Sequence, residues 1–442
     1  MRRRQFIAGT GLVGAGAVAG LAGCEPAPRA ARRDQETPAT APAPRPGDWA
    51  AARAQFDLDP TLSHFSAFVL APHPAPVRDA IERHRRGMDR DAVGYLHANE
   101  GRLEAEVRSA AAEYLGAARD ELALTDSTTM GLGLLYGGIR LRPDQEVVTT
   151  EHDFYATHEA LRLRAERTGA AVRRVALYEE AASVTAAEVL GSVRAALRPR
   201  TRVLALTWVH SGTGVALPVR RIAGVVARAN RHRDEADRVL LCVDGVHGVG
   251  ALDAGVGDLG CDFLVSGCHK WLFGPRGTGF VWGRGAAWEQ VTGTIPSFDG
   301  RSIGAWIDGA TPETPPGPAM TPGGFHSFEH RWALAEAFRL QATLQRRLVA
   351  GRVRELARGL RHGLAAMRHV RLVTPAADEL SAGIVCFDVD GRRPGKVVER
   401  LLQQRVAASV TPYAQEHVRL GASIVTGPDD VERALRAVRT LA

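Results

Sequence analysis

Lys270 stands in VSGCHKWLFGPRGTGFVWG, residues 265–283, behind a histidine and ahead of an apolar, glycine-rich run. A lysine partly withdrawn from water loses basicity and becomes a nucleophile toward aldehydes. On an open surface the same residue is only a snorkelling cation. Upstream, Asp244-Gly245-Val246-His247-Gly248 follows the apolar run 240–243. A carboxylate at the end of a buried strand is costly unless it meets a cation, from a ligand or from a structural arginine. His247, three residues on, can point into the same crevice. Thr125-Asp126-Ser127-Thr128-Thr129 follows another apolar run. Small hydroxyl residues before a helix offer free N–H groups and the positive end of its dipole to an anion, although they also serve as plain caps. Glu151-His152-Asp153 follows a third run. There an imidazole could stack on a flat ring or simply face water.

These residues need a scaffold that brings strand ends together. Strand-like runs occur at 122–124, 147–149, 172–175, 203–207, 239–243, 263–266 and 279–282. Helix-like segments at 102–116, 157–168, 185–197 and 220–232 alternate with several of them. That alternation predicts an α/β fold with a mostly parallel, seven-stranded sheet covered on both faces. Ligands of such sheets bind outside the carboxyl ends of the strands. A Pro/Gly-rich stretch, 309–324, interrupts the order. A long helical pattern then runs from about His326 to Met367, followed by strands at 383–389 and 406–410 and a helix from about Asp429. The expected division is a leader over 1–24, a Pro/Ala-rich tether over 25–47, an N-terminal segment with the large domain over 48–315, and a smaller α+β domain over 316–442.

Taken together, the candidates describe one ligand. The hydroxyl loop takes a phosphate, His152 covers a ring, Asp244 holds a ring nitrogen protonated, and Lys270 condenses with a carbonyl. A phosphorylated, flat, cationic aldehyde of this kind is pyridoxal 5'-phosphate (PLP). No metal site is expected, because the cysteines lack ligand spacing.

The series TTEH (149–152), VDGVH (243–247) and GCHKWLFGPRGTG (267–279) resembles, in order and spacing, the class V aminotransferase group of fold-type I PLP enzymes. This group includes cysteine desulfurases and isopenicillin N epimerase-like proteins, and the likeness runs from about residue 60 to the C-terminus. The resemblance implies that Lys270 binds the cofactor's aldehyde and later shuttles a proton. Asp244 would pair with the pyridinium, and His247 would reach the ring hydroxyl, where many relatives have Gln. His152 would stack on the ring, and Thr128, Thr129 and His269 would bind phosphate. Thr321 in TPGG would reach the phosphate of a neighbouring subunit, so a homodimer is expected. Arg419 in HVRLGAS would hold the substrate carboxylate, which a bidentate fork suits better than an ammonium. Three positions depart from the pattern. Gly267 stands where relatives often have Ser, and Ser211 where many desulfurases have Asn. Residues 408–413 read Ala-Ser-Val-Thr-Pro-Tyr where desulfurases carry a nucleophilic Cys. Cys386, in the strand before, is expected to be core.

The chain has 442 residues, 45% of them hydrophobic, enough for two domains. Its net charge of +7 comes largely from the first 47 residues, where seven arginines face Glu25, Asp34 and Glu36. The body is nearly balanced and has no basic run interleaved with aromatics, so no nucleic-acid partner is expected. Residues 25–47 are too short and proline-rich to supply a DNA-binding domain. Arg2-Arg3-Arg4-Gln5-Phe6-Ile7 resembles the twin-arginine export motif, and Leu21-Ala22-Gly23-Cys24 resembles a lipoprotein cleavage box. Export to the periplasm is expected, with lipidated Cys24 as a membrane tether or, alternatively, an ordinary cleaved signal. That route carries folded proteins, so the cofactor would be installed beforehand. Leader included, the chain is similar to exported members of the group, among them one that tailors the glutamate side chain of pyoverdine siderophores. The expected activity is therefore PLP chemistry on an amino-acid or siderophore-peptide amine that bears a carboxylate. Epimerase, lyase, desulfurase and non-catalytic PLP-binding roles are the alternatives.

Overall fold

The apolar runs form strands. In chain order these are β1 (Ser63–His64), β2 (Leu122–Thr125), β3 (Glu146–Thr150), β4 (Ala171–Val175), β5 (Thr201–Thr207), β6 (Leu240–Asp244), β7 (Phe263–Gly267), β8 (Gly279–Gly283), β9 (Val370–Leu372), β10 (Ile384–Val389), β11 (Val406–Ala407), β12 (Ser409–Val410) and β13 (Val418–Gly421). The computed structural model describes residues 43–442. The leader, Cys24 and most of the 25–47 tether lie outside the described residues.

Seven strands make one sheet, in the order β2-β8-β7-β6-β5-β3-β4. β7, β6, β5, β3 and β4 run parallel. β8 is antiparallel to both β7 and β2. This is the mostly parallel α/β architecture expected. Along β5 the side chains alternate between two cores. Val203 and Ala205 join Leu132, Leu135 and Leu161 of helices Thr128–Gly138 and Tyr155–Thr168. Leu204 and Leu206 join Val189, Val193, Ile222 and Val225 of helices Ala186–Ala196 and Val219–Ala229. Both faces are dry, and each buried Val or Leu contributes about 1.5–3 kcal/mol. β4 is one of the two edge strands, and its partly exposed Arg173 and Arg174 blunt that edge.

A second, antiparallel sheet has the order β12-β13-β10-β9. Helices Arg346–Ala365 and Pro428–Arg439 pack on it through Leu356, Leu360, Val431 and Val438. Two features differ from the sequence expectation. The helical pattern over 326–367 is two helices, Phe328–Leu344 and Arg346–Ala365, parted at Gln345, where φ is +63°. Leu334, Phe338 and Leu344 of the first helix belong to the large lobe's core. Val349 and Val353 of the second helix join that same core, whereas its Leu356, Leu360 and Leu364 face the core of the second sheet. The N-terminal segment, expected with the large domain, crosses to the small lobe. β1 pairs in parallel with β11, Ser63 Oγ donates to Asp430 Oδ1 at 2.7 Å, and Arg53 pairs with Asp430 at 2.6 Å. The segment then returns to the large lobe, where the Ala71 N–H donates to the His269 carbonyl at 2.9 Å, one residue ahead of Lys270.

Candidate active site

The parallel strands all end on one edge of the sheet, which gathers residues far apart in sequence. Asp244 ends β6, His247 follows in the next turn, and Lys270 lies three residues after β7. Arg419 comes from β13 of the small lobe. These four line one cavity of about 130 Å³ with Phe68, Val69, Phe154, Thr207, Ser211, Val246 and Pro412.

Burial sets the electrostatics. It pushes the Lys270 ammonium down to about 8, against the opposing pull of Asp244. It raises the Asp244 carboxyl to about 6, although the Val246 N–H and Lys270 favour the carboxylate. Asp244 Oδ1 accepts from Val246 N at 3.0 Å. Asp244 lines the cavity, and among the described residues no cation stands within ion-pair distance of it. A buried carboxylate in that state calls for a cation from outside the chain. His247 is held well below the usual imidazole range by burial, then by the charges of Lys270 and Arg419. Its Nε2 lies 3.0 Å from Lys270 Nζ, and Trp271 Nε1 donates to its Nδ1 at 3.1 Å.

The expected anion end is the start of helix Thr128–Gly138; Thr128, Thr129 and His269 are not among the residues that line the cavity. Ser127 Oγ caps it by accepting from Met130 N at 3.1 Å. The N–H groups of Thr128 and Thr129 have no intrahelical partner there. The Gly267 N–H donates to Thr128 Oγ1 at 2.8 Å, which leaves the Thr128 hydroxyl hydrogen free to donate. His269 sits beside it, neutral because burial and then Lys270 push it down to about 4. Gly267 is explained by this crowding. A Cβ there would lie 2.8 Å from the His269 ring and 2.9 Å from Thr128 Oγ1. Gly267→Ser is therefore expected to cost about 1–3 kcal/mol and to weaken cofactor retention. Melting temperature and cofactor absorbance after gel filtration check this, and wild-type values for both would contradict the packing argument.

Two expected residues are engaged elsewhere. His152 is stacked on Tyr178, with ring centroids 3.8 Å apart and planes 5° apart, and its Nε2 accepts from Leu177 N at 3.2 Å. Only its opposite face is left for a cofactor ring, and it does not border the cavity. Thr321 was expected to reach a phosphate in a neighbouring subunit. Its hydroxyl instead accepts from Leu124 N at 3.1 Å and Arg108 Nη2 at 3.2 Å, and donates to the Gly317 carbonyl at 3.0 Å. All its capacity is used within this chain.

Sequence reasoning gave no role to Asp153, Ser211 or Tyr413. Asp153 is buried and accepts from Thr149 Oγ1, Thr150 N and Thr207 N, each at 2.7 Å. It staples the ends of β3 and β5. A third polar residue in Glu-His-Asp after a buried strand was the signal. Ser211 and Tyr413 join their hydroxyls at 2.8 Å, which ties the large lobe to the loop after β12. Arg419 lies 4.9 Å from the Phe68 ring centroid. It donates through Nε to Ser409 Oγ at 3.0 Å and through Nη1 to the Ser211 carbonyl at 3.1 Å. Its Nη2 carries no hydrogen bond among the described residues. The full set fits PLP: N–H groups for a phosphate, an unpaired carboxylate for a ring cation, and a weakly basic amine for an aldehyde.

The chain belongs to the aminotransferase class-V family, whose profile matches residues 72–413. Among its relatives, isopenicillin N epimerase of Streptomyces clavuligerus is 26% identical over 411 residues, 89% of this chain and 98% of that protein. The epimerase of Amycolatopsis lactamdurans is 28% identical, over 77% of this chain and 84% of its own. A probable cysteine desulfurase of Mycolicibacterium paratuberculosis is 27% identical over 76% of this chain and 48% of its own. In three dimensions, C-DES with glycine covalently linked to its PLP cofactor has a TM-score of 0.77 at 21% identity, covering 88% of this chain and 98% of its own. The cysteine desulfurase CsdA of Escherichia coli has a TM-score of 0.73 at 21% identity, covering 89% of this chain and 98% of its own. These two likenesses establish the fold.

Proposed function

We propose that this protein is an exported PLP enzyme that acts on the amine of an amino acid or siderophore peptide bearing a carboxylate. The observation that carries the reading is that Lys270, Asp244, His247 and Arg419 line one cavity. When bound, PLP supplies an electron sink for breaking a bond at the substrate's Cα. Thr128, Thr129 and His269 would hold its phosphate, Asp244 its ring nitrogen, and Lys270 its aldehyde carbon. The chain's own groups do the rest. Arg419 offers its free Nη2 to the carboxylate and so orients the substrate amine toward Lys270. The Lys270 amine, half of it neutral near pH 8, is suited to take and return the Cα proton.

Desulfuration through a protein thiol is disfavoured. The four cysteines among the described residues are buried and free, and none borders the cavity. Burial pushes the Cys386 thiol up to about 12. The loop at 408–413 presents Pro412 to the cavity instead. A second reading, epimerisation, is favoured by the likeness to the two isopenicillin N epimerases along most of their length.

Absorption spectra of the purified protein with glutamate, other amino acids and a peptide carrying an N-terminal glutamate separate these readings. Conversion of the cofactor to its amine form by one donor identifies a transaminase. A response to the peptide alone, with the starting spectrum regenerated, supports siderophore tailoring. Deuterium uptake at Cα without keto-acid release supports epimerisation. Silence toward every amino carboxylate would sink the proposed substrate class.

Export rests on the arginines at positions 2–4 and on the box ending at Cys24, and siderophore tailoring rests only on the resemblance read from the sequence. Replacing Arg3 and Arg4 by Lys is expected to strand the protein in the cytoplasmic fraction. Periplasmic recovery of that variant would refute the route. A homodimer suits the exposed Trp306 (81%) and Phe325 (85%). It predicts a solution mass near twice that of one chain, and a single-chain mass would exclude it.

A further inference from the structure

We propose that Trp271 is a positioning residue: its indole N–H fixes the His247 proton on Nε2 and thereby favours Lys270 as a neutral amine. The inference deepens the assignment of Lys270 as the cofactor lysine and rests on it. An indole N–H can only donate. It donates to His247 Nδ1 at 3.1 Å, so Nδ1 is the acceptor and the single proton of a neutral imidazole stays on Nε2. That proton points along the 3.0 Å contact to Lys270 Nζ. An ammonium there meets a donor with a donor, whereas a neutral amine accepts.

The other charges around the pair are accounted for. Asp244 at the end of β6 favours the ammonium, while Arg419 on β13 opposes it. His269, next to Lys270 in the chain, and Arg419 both disfavour charge on His247. His247 is buried, so its neutral form is the one whose tautomer matters.

Trp271 cannot turn away. It is 2% exposed and stacked on Phe68 with centroids 5.7 Å apart. Its carbonyl accepts from Gln341 Nε2 at 3.1 Å. At Gly383 a Cβ would lie 2.3 Å from the indole, so glycine is what makes room for the ring. Phe68, on the segment that crosses between the lobes, packs against both the indole and the Arg419 guanidinium.

Trp271→Phe keeps most of the packing and removes the N–H. His247 can then carry its proton on Nδ1 and accept from the Lys270 ammonium. The test follows the rate of borohydride-trappable adduct formation when PLP is added to the full-length, cofactor-stripped protein, across pH 6.5 to 10. The wild-type rate is expected to rise with pH through about 8. Trp271→Phe should move the midpoint up by about one unit, slowing trapping about tenfold at pH 7. In a His247→Gln background the same substitution should shift nothing. A slower rate with an unmoved midpoint would mean that Trp271 only packs, and would overturn the proposal. If Trp271→Phe does not fold, 15N-histidine NMR of the wild type decides, with the His247 signal assigned by its loss in His247→Gln. Protonated Nε2 with bare Nδ1 supports the proposal, and the reverse tautomer overturns it. Absence of any wild-type adduct on Lys270 would instead refute the lysine assignment itself.

Discussion

Lys270→Ala will lower turnover on the order of 10,000-fold or more, because the residue that binds the cofactor and moves the proton is lost at once. The sequence makes this variant informative. The chain contains two lysines, Lys270 and Lys396. Lys396 pairs with Glu399 at 2.8 Å, with both side chains 61% exposed, on helix Pro394–Gln403 of the small lobe. It lies in solvent on a helix that does not border the cavity and cannot take over. Added small amines are expected to restore part of the turnover, since they supply the missing base without the missing tether. Turnover within tenfold of wild type would mean that the cavity is not the reaction site.

Arg419→Ala is expected to raise KM for carboxylate substrates by about 10- to 100-fold, the scale of a lost charge-assisted hydrogen bond, with a smaller change in kcat. The comparison that isolates the effect is between a substrate and its carboxamide. Wild type should discriminate strongly and the variant hardly at all. Arg419→Lys should rescue poorly. Nε and Nη1 are spent on Ser409 and the Ser211 carbonyl, and the flat guanidinium packs over Phe68, neither of which a lysine reproduces. Equal KM values for acid and amide in both proteins would remove Arg419 from substrate binding.

The large sheet was legible because its strands are buried on both faces. Runs such as Val203–Thr207 need no partner to declare themselves. Asp244 and Lys270 were legible for a related reason: both follow such runs, and parallel strands deliver their ends to one edge. What stayed hidden depends on contacts between distant segments. β1 is two residues long and exists through its pairing with β11. β13 is four residues, one of them Arg419, and shows no periodicity of its own. The break at Gln345 interrupts a continuous helical pattern through one residue at positive φ, which apolar spacing does not reveal. Trp271 sits beside the lysine in an apolar run, so it resembles ordinary core. Its function lies in one N–H whose target, His247, is 24 positions away. Thr321 shows the opposite case, since a suitable hydroxyl in a suitable motif is already hydrogen-bonded within its own chain.

The assignment of the site is tested most directly by reducing the purified holoprotein with borohydride, digesting it, and mapping the cofactor adduct by mass spectrometry. With two lysines in the chain the outcome is sharp. A single adduct on the peptide containing Lys270, lost when hydroxylamine has first stripped the cofactor, is the expected result. An adduct confined to Lys396, or a holoprotein with no lysine adduct, would contradict it.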